Sequence, residues 1–340
     1  MSGRSSIWVL FLLLASVGFA AGPRIELAWP TPNTAYLAGK PYETYVQPTV
    51  SGEVTSGLFG CVRSGGTRFH EGLDLKPTSR DRRGEATDEI FATMAGVVRH
   101  VNVRPGDSGY GRYIVIEHTQ LRPAVVTLYA HLSALAPGLK VGDTVALGQV
   151  IGTMGRSAGG YTIPKDRAHL HYEIGLMMTR RFQSWYDWKK FGSRNTQGLH
   201  NGMNLMGLDP LDFFDAFRSR RVNNFEEYFA QMPAVARVRI ATAHVPDFVE
   251  RYPELLTTPV PPEGVAGWDF KINATGLPFS WTPLSADAVT GMRENEVRLF
   301  DVDAEALKRS RCRSLAVSRR GGYAPGRDLE TMLQLVFGLR

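Results

Sequence analysis

From Cys61 to Leu176 the chain alternates short apolar runs with turns bearing Gly and Pro. The runs are Ile90–Val103, Tyr113–His118, Val125–His131, Thr144–Val150 and His169–Leu176, all with β-branched residues. Arg104-Pro105-Gly106-Asp107 and Val141-Gly142-Asp143 are typical of what separates them. Short strands at this spacing predict an antiparallel barrel or sandwich. Before it, residues 21–60 hold many Pro, Thr and Tyr and little apolar periodicity, and read as an extended lead-in. After it, residues 177–210 are aromatic and polar, with Trp185, Tyr186 and Trp188, and read as a connecting segment of loop or irregular structure. The pattern changes again in residues 211–340. Helical spacing is expected at Leu211–Arg221, Asn224–Met232, Asp303–Arg311 and Asp328–Phe337, and strands at Val235–Ala243 and Trp268–Ile272. The expected fold class is therefore a mainly β domain over residues 61–176, an antiparallel β-sheet, followed by an α+β C-terminal extension of open role.

Composition narrows this little. Of 340 residues, 43% are hydrophobic and 21% charged, which excludes a disordered or fibrous chain. The formal charge of +6 suits anionic polymers without naming one. A single long apolar run, Ile7–Val17, follows Arg4 and precedes the small residues Gly18, Ala20, Ala21 and Gly22. That layout predicts a signal peptide over residues 1–20, cleaved after Ala20, and no stable membrane span afterwards. Export in turn disfavours a nucleic-acid partner. In an oxidising compartment the lone pair Cys61 and Cys312 is permitted to form a disulfide, which would clamp the C-terminal region onto the segment before His70.

Chemistry is concentrated in four of the eight histidines. His70-Glu71-Gly72-Leu73-Asp74 places an imidazole and a carboxylate four apart, with a glycine that permits a bend between them. In His169-Leu170-His171-Tyr172-Glu173-Ile174, period-two alternation puts His169, His171 and Glu173 on one face of a strand. His131 closes another strand-like run. Two imidazoles and one carboxylate are a recipe for a catalytic zinc, because three protein ligands leave a position open for water. Spare histidines suit proton transfer, having a pKa near the working range. The residues alone leave open which histidine of the pair His169 and His171 is the ligand.

The segment from Phe69 to Ile174 resembles the catalytic domain of the M23 zinc metallopeptidases, the lysostaphin- and LytM-like peptidoglycan endopeptidases. The likeness rests on His70-Glu71-Gly72-Leu73-Asp74, on Ala95-Gly96-Val97-Val98, and on the glycine-led strand Gly111–His118. It continues with Tyr129-Ala130-His131-Leu132-Ser133, with the hairpin Val141–Val145 and Gly148–Gly152, and with His169-Leu170-His171. The resemblance implies one Zn2+ per chain held by His70, Asp74 and His171, with His131 and His169 assisting catalysis. It also implies a compact antiparallel sheet, related to the barrel-sandwich hybrid, with a groove over the zinc. The expected function is hydrolysis of stem or cross-link peptide bonds in peptidoglycan, in the periplasm or cell envelope of a bacterium. The competing expectation is a catalytically latent domain of the same fold that binds the wall and regulates another hydrolase. No protein partner is named by the sequence.

Several residues are read as structural. His118 ends a strand beyond the ligand set, and His100, His200 and His244 have no partners in sequence. Glu173 is expected at the solvent or barrel rim, and Trp185, Tyr186 and Trp188 packed on the sheet. The basic run from Lys308 to Arg327 is read as a solvated face.

Overall fold

A computed structural model describes residues 22–340, so the expected signal peptide, residues 1–20, lies outside the described residues. The strands are β1 (Gly60–Arg63), β2 (Arg68–His70), β3 (Leu73–Leu75), β4 (Glu89–Phe91), β5 (Gly96–Asn102), β6 (Arg112–Glu117), β7 (Val126–Leu132), β8 (Ala134–Leu135) and β9 (Thr144–Val145). They continue as β10 (Val150–Thr153), β11 (Leu170–Met177), β12 (Leu205–Leu208), β13 (Ala236–Ala241), β14 (Gly267–Ile272), β15 (Pro278–Leu284), β16 (Val297–Phe300), β17 (Ala316–Arg319) and β18 (Gly322–Pro325). The helices are α1 (Phe182–Lys189), α2 (Pro210–Arg218), α3 (Phe225–Ala230), α4 (Asp247–Arg251), α5 (Ala304–Arg309) and α6 (Arg327–Phe337). Among the described residues no helix is long and apolar enough to cross a membrane.

The main sheet is antiparallel, in the order β12-β11-β7-β6-β5-β9, and β3 shares with β12 the outer edge of β11. Its central strands are covered on both sides. Every residue of β7 and all but the last of β11 are buried, which is why both read as nearly continuous apolar runs. On one face of β11, Leu170, Tyr172, Ile174 and Leu176 join the large core. There Tyr172 meets Phe214 of α2, and Phe214 packs edge-on against Trp29 of the lead-in. On the other face a smaller apolar cluster, Tyr113, Val115, Val126, Leu128, Ala130 and Leu205, lies beside His171 and Glu173. The mainly β, antiparallel class is what the strand pattern predicted.

Local details differ from the sequence reading. The run Ile90–Val103 is two strands, β4 and β5, in different sheets, with a bend over Ala92–Ala95 between them. The run Thr144–Val150 likewise splits into β9 and the start of β10 around Gly148, whose φ of +72° is a left-handed turn that breaks the ladder. Residues 177–210 are not loop: they form α1, two short 3-10 turns and β12, which extends the main sheet. Trp185 and Tyr186 are buried in α1, and a helix was hidden there because aromatic residues are indifferent helix formers that packing overrides.

The C-terminal extension builds its own antiparallel sheet, β15-β14-β13-β16, and a hairpin, β17–β18. Its four expected helices are present; α3 and α5 are shorter at both ends, α2 ends three residues early, and α6 starts one residue earlier than expected. Asp209 caps α2 through the backbone N–H of Leu211 and Asp212, with Pro210 at the first helical position. In α6, Leu329, Met332, Leu333, Val336 and Phe337 form the buried stripe, and Gly338 ends the helix at a φ of +69°. Four strands, β15 to β18, escaped the sequence reading; Pro278 and Pro283 interrupt β15, and Arg298 breaks the short apolar run of β16. Cys61 and Cys312 are joined by a disulfide across 251 residues of sequence. The bond ties the end of α5 to the β1–β2 hairpin, and Arg313 lies over the Phe69 ring at 4.0 Å in the same place.

Candidate metal centre

Register assembles the site. His171 of β11 sits directly opposite Asp74 of β3 on one side and Ala130 of β7 on the other. Directly opposed residues of an antiparallel pair share a face, so Asp74 and His171 meet by pairing alone. His70 ends β2 and reaches the same point because the chain folds tightly between β2 and β3. Gly72 makes that possible: a Cβ there would stand 2.4 Å from the Tyr172 carbonyl oxygen and 3.0 Å from His171 Cε1. Only glycine lets this turn lie against β11.

Three atoms converge. His70 Nε2 is 3.0 Å from His171 Nδ1 and 3.1 Å from Asp74 Oδ1, and His171 Nδ1 is 3.0 Å from Asp74 Oδ1. All three residues are buried. His70 Nδ1–H donates to the Leu58 carbonyl at 2.6 Å, and His171 Nε2–H donates to Glu173 Oε1 at 2.8 Å. Each ring thus turns its other nitrogen, a lone pair, toward the carboxylate. Three acceptors packed together repel one another, and one proton placed among them cannot serve all three. A divalent cation can, and a borderline-soft ion such as zinc takes this N2O set at about 2.0–2.1 Å. The residues present therefore fit a metal ion, with His70, Asp74 and His171 the group that could hold it.

The surroundings favour positive charge. Burial opposes charge on His171, but bonds to Asp74 and Glu173 outweigh it and push its pKa up to about 10. Burial would raise Asp74, yet the imidazoles of His70, His169 and His171 hold it well below the ordinary carboxylate range. A cation entering the site must displace the proton that His171 attracts, so loading is coupled to pH. Asp74 is further fixed by Arg63 of β1, whose guanidinium donates to Oδ2. Glu173 is fixed by Tyr110, whose hydroxyl donates to Oε1 at 2.7 Å and is kept protonated by burial and by that carboxylate.

Glu173 is thus not at a rim. It is 4% exposed and orients His171, a role that the alternation of β11 placed within reach but could not assign. Arg63, eleven residues before Asp74, and Tyr110, 63 before Glu173, were not foreseen, since neither belongs to a motif. His131 and His169 stand beside the three convergent groups, with ring centroids 4.8 Å apart, and His131 is 5.9 Å from His171. His131 Nδ1–H donates to the Ser157 carbonyl and His169 Nδ1–H to that of Arg167. Both Nε2 atoms are left as acceptors, and His169 Nε2 is 3.6 Å from Asp74 Oδ1. Burial lowers the pKa of both below that of free imidazole, for His131 markedly.

His131 reaches the site through its backbone. By alternation it would share the far face with Thr127 and Tyr129. Its φ of +61°, beside an irregularity in the β6–β7 register, turns it around, and Leu132 then rejoins the large core. The remaining histidines lie elsewhere. His118 bonds the Ala95 carbonyl and Thr127, while His100 and His200 stack on each other with centroids 5.8 Å apart.

A groove of about 880 Å³ runs over the site. Its walls include Pro48 and Thr49 of the lead-in, Tyr161–Pro164, Trp185 and Lys189 of α1, and Asp328, Met332 and Leu335 of α6. The C-terminal extension therefore contributes to the groove.

Residues 68–181 match the sequence profile of peptidase family M23. Among solved structures the chain is similar to the catalytic domain of the antimicrobial peptidase lysostaphin from Staphylococcus simulans, at 19% identity and a TM-score of 0.31, over 51% of this chain and 95% of that one. It is similar to Helicobacter pylori Csd3 at 24% identity and a TM-score of 0.29, over 45% of this chain and 30% of that one. A zinc containing peptidase from Vibrio cholerae gives 22% identity and a TM-score of 0.24, over 44% of this chain and 33% of that one. The chain thus spans about a third of the length of two of these three. No curated protein gave a significant sequence match.

Proposed function

We propose, on the premise that residues 68–181 are a domain of peptidase family M23, that the protein is a zinc-dependent endopeptidase acting on peptide bonds of bacterial peptidoglycan in the cell envelope. The observation that carries this reading is the buried convergence of His70 Nε2, Asp74 Oδ1 and His171 Nδ1 within 3.1 Å beneath a groove of about 880 Å³. When bound there, zinc supplies Lewis-acid polarisation of a carbonyl and a lowered pKa for water. The chain's own groups do the rest. Glu173 and the Leu58 carbonyl hold the two imidazoles in the tautomers that present lone pairs. His131 and His169 are neutral at pH 7 and offer Nε2 acceptors. One of them takes the proton of the attacking water and hands it to the leaving amine nitrogen, so the proton lost by the nucleophile ends on the product amine. The other stays neutral, its Nδ1–H held by a backbone carbonyl, and its Nε2 accepts from the second O–H of the attacking water, which orients it.

Purified mature protein assayed for zinc and incubated with sacculi, with muropeptides followed by mass spectrometry, tests the reading. Near-stoichiometric zinc, new peptide termini, and loss of product in Asp74→Ala and His169→Ala are expected. Zinc retained without product from sacculi of several cross-link types would overturn it in favour of a latent domain that regulates another hydrolase.

A further inference from the structure

The cations of the groove are not equivalent. Five line it: Arg63, Arg68, Arg167, Lys189 and Arg313. Arg63 is committed to Asp74, Arg313 lies on Phe69 with Asp328 at 3.7 Å, and Lys189 sits near Trp185 and Trp188. Among the described residues, Arg68 and Arg167 make no ion pair and no side-chain hydrogen bond, although carboxylates line the same groove. Those carboxylates are engaged by other groups. Asp328 accepts from the Ser314 backbone, Asp107 faces Arg104, and Glu71 acts on Tyr110 and Arg313.

The two free guanidiniums lie at the end where chemistry would occur. Arg167 gives its carbonyl to His169 at 2.7 Å, so its side chain starts two residues from that imidazole. Arg68 precedes His70 by two residues and lies close enough to Tyr161 for its charge to act on that phenol. Tyr161 in turn stands edge-on to His131, with centroids 6.4 Å apart. A groove that keeps two forked donors unpaired next to its reacting end, while its carboxylates are engaged by other groups, is complementary to a ligand with a carboxylate there.

We infer that Arg68 and Arg167 bind a free carboxylate of the peptide substrate near the scissile bond, so that the protein selects acidic peptides over neutral ones such as oligoglycine. This rests on the peptidase reading and adds to it a substrate charge and two specificity residues. Guanidinium–carboxylate pairs at a partly wet site are each worth about 1 kcal/mol, or roughly three- to tenfold in affinity.

The test uses the full, zinc-loaded chain and two fluorescently labelled peptides of the same stem sequence, one with free carboxylates and one with them converted to carboxamides. Binding is read by anisotropy, and peptide integrity by mass spectrometry of the same samples. The acidic peptide is expected to bind about tenfold more tightly or better. Arg68→Ala and Arg167→Ala should each lose part of that preference and the double variant all of it, with binding of the carboxamide peptide unchanged. Arg82→Ala, which removes an exposed arginine outside the groove, should leave the preference intact. Equal affinities for the two peptides, no binding of either, or an equal loss in Arg82→Ala would overturn the inference. A preference that persists while neither peptide nor sacculus is cut would instead overturn the peptidase reading and leave this one standing.

Discussion

Two buried aspartates, one in each sheet, show how similar surroundings acquire different chemistry. Asp74 in β3 and Asp269 in β14 are 2% and 8% exposed, and each faces basic groups from the neighbouring strand. Around Asp269 those groups are Arg237 and Arg239, at 2.9 and 2.7 Å, which are always charged. Both guanidiniums bond its Oδ2, and the charge there is neutralised by the fold itself. Around Asp74 one oxygen, Oδ2, accepts from Arg63, while the other, Oδ1, meets the imidazoles of His70 and His171, each with one N–H already committed and a lone pair turned inward. The first arrangement is a closed ion pair. In the second, the oxygen that Arg63 does not reach meets only lone pairs, and it lies under a groove. Burial of a carboxylate is therefore uninformative by itself, and the convergence of lone pairs on one of its oxygens separates a structural site from one that holds a cation.

The largest test of that contrast removes each carboxylate in turn. Asp74→Ala should abolish metal retention and cut hydrolysis by roughly four orders of magnitude, while the melting temperature of the metal-free protein changes little. Asp269→Ala should do the opposite, lowering stability by about 2 kcal/mol with zinc content and turnover per folded molecule unchanged. Zinc analysis and thermal denaturation of both variants check this, and matching phenotypes would erase the distinction.

Next in size is the bond between the regions. The disulfide of Cys61 and Cys312 closes a loop of 251 residues, and loop-closure entropy puts its contribution at about 5 kcal/mol. Reduction should lower the denaturant midpoint accordingly. Because Cys61 is two residues from Arg63 and pairs with Phe69 beside His70, reduced protein should also release zinc to a chelator faster.

Acid sharpens the contrast within the β domain. His118 is buried with a pKa lowered to about 4, mainly by burial, and so are His100 and His200. A lowered pKa means that the unfolded chain takes up the proton first. The stability these groups confer is full above their unfolded value, near 6.5, and is lost as pH falls through about 4. For His118 the difference corresponds to about 3 kcal/mol. Urea midpoints between pH 7 and 4 should fall, and less so in His118→Gln. A slope unchanged by that substitution would argue against neutral burial.

The smallest expected effect tests the support of a ligand. Glu173→Gln keeps an acceptor for His171 but removes the charge, and metal affinity should weaken by about 10- to 100-fold with the fold intact. Competition with a chelator measures it. An unaltered affinity would mean that Tyr110 and Glu173 do not tune the imidazole.

What the linear sequence determined is what local periodicity and steric need can encode. The β character of residues 61–176, the shared face of His169, His171 and Glu173, and the glycine between His70 and Asp74 were all legible. So were the four helices of the extension, since their apolar stripes recur within a few residues. Other features depend on residues far apart in the chain. Arg63 and Tyr110 reach the site only through strand pairing, and α6 reaches the groove only after the C-terminal sheet has packed and Cys312 has met Cys61. The orientation of His131 was beyond pattern altogether, because a single left-handed residue reverses the alternation on which the pattern rests. Local sequence sets which face a side chain prefers. Only the folded chain decides which lone pairs meet, and whether a fixed charge is there to receive them.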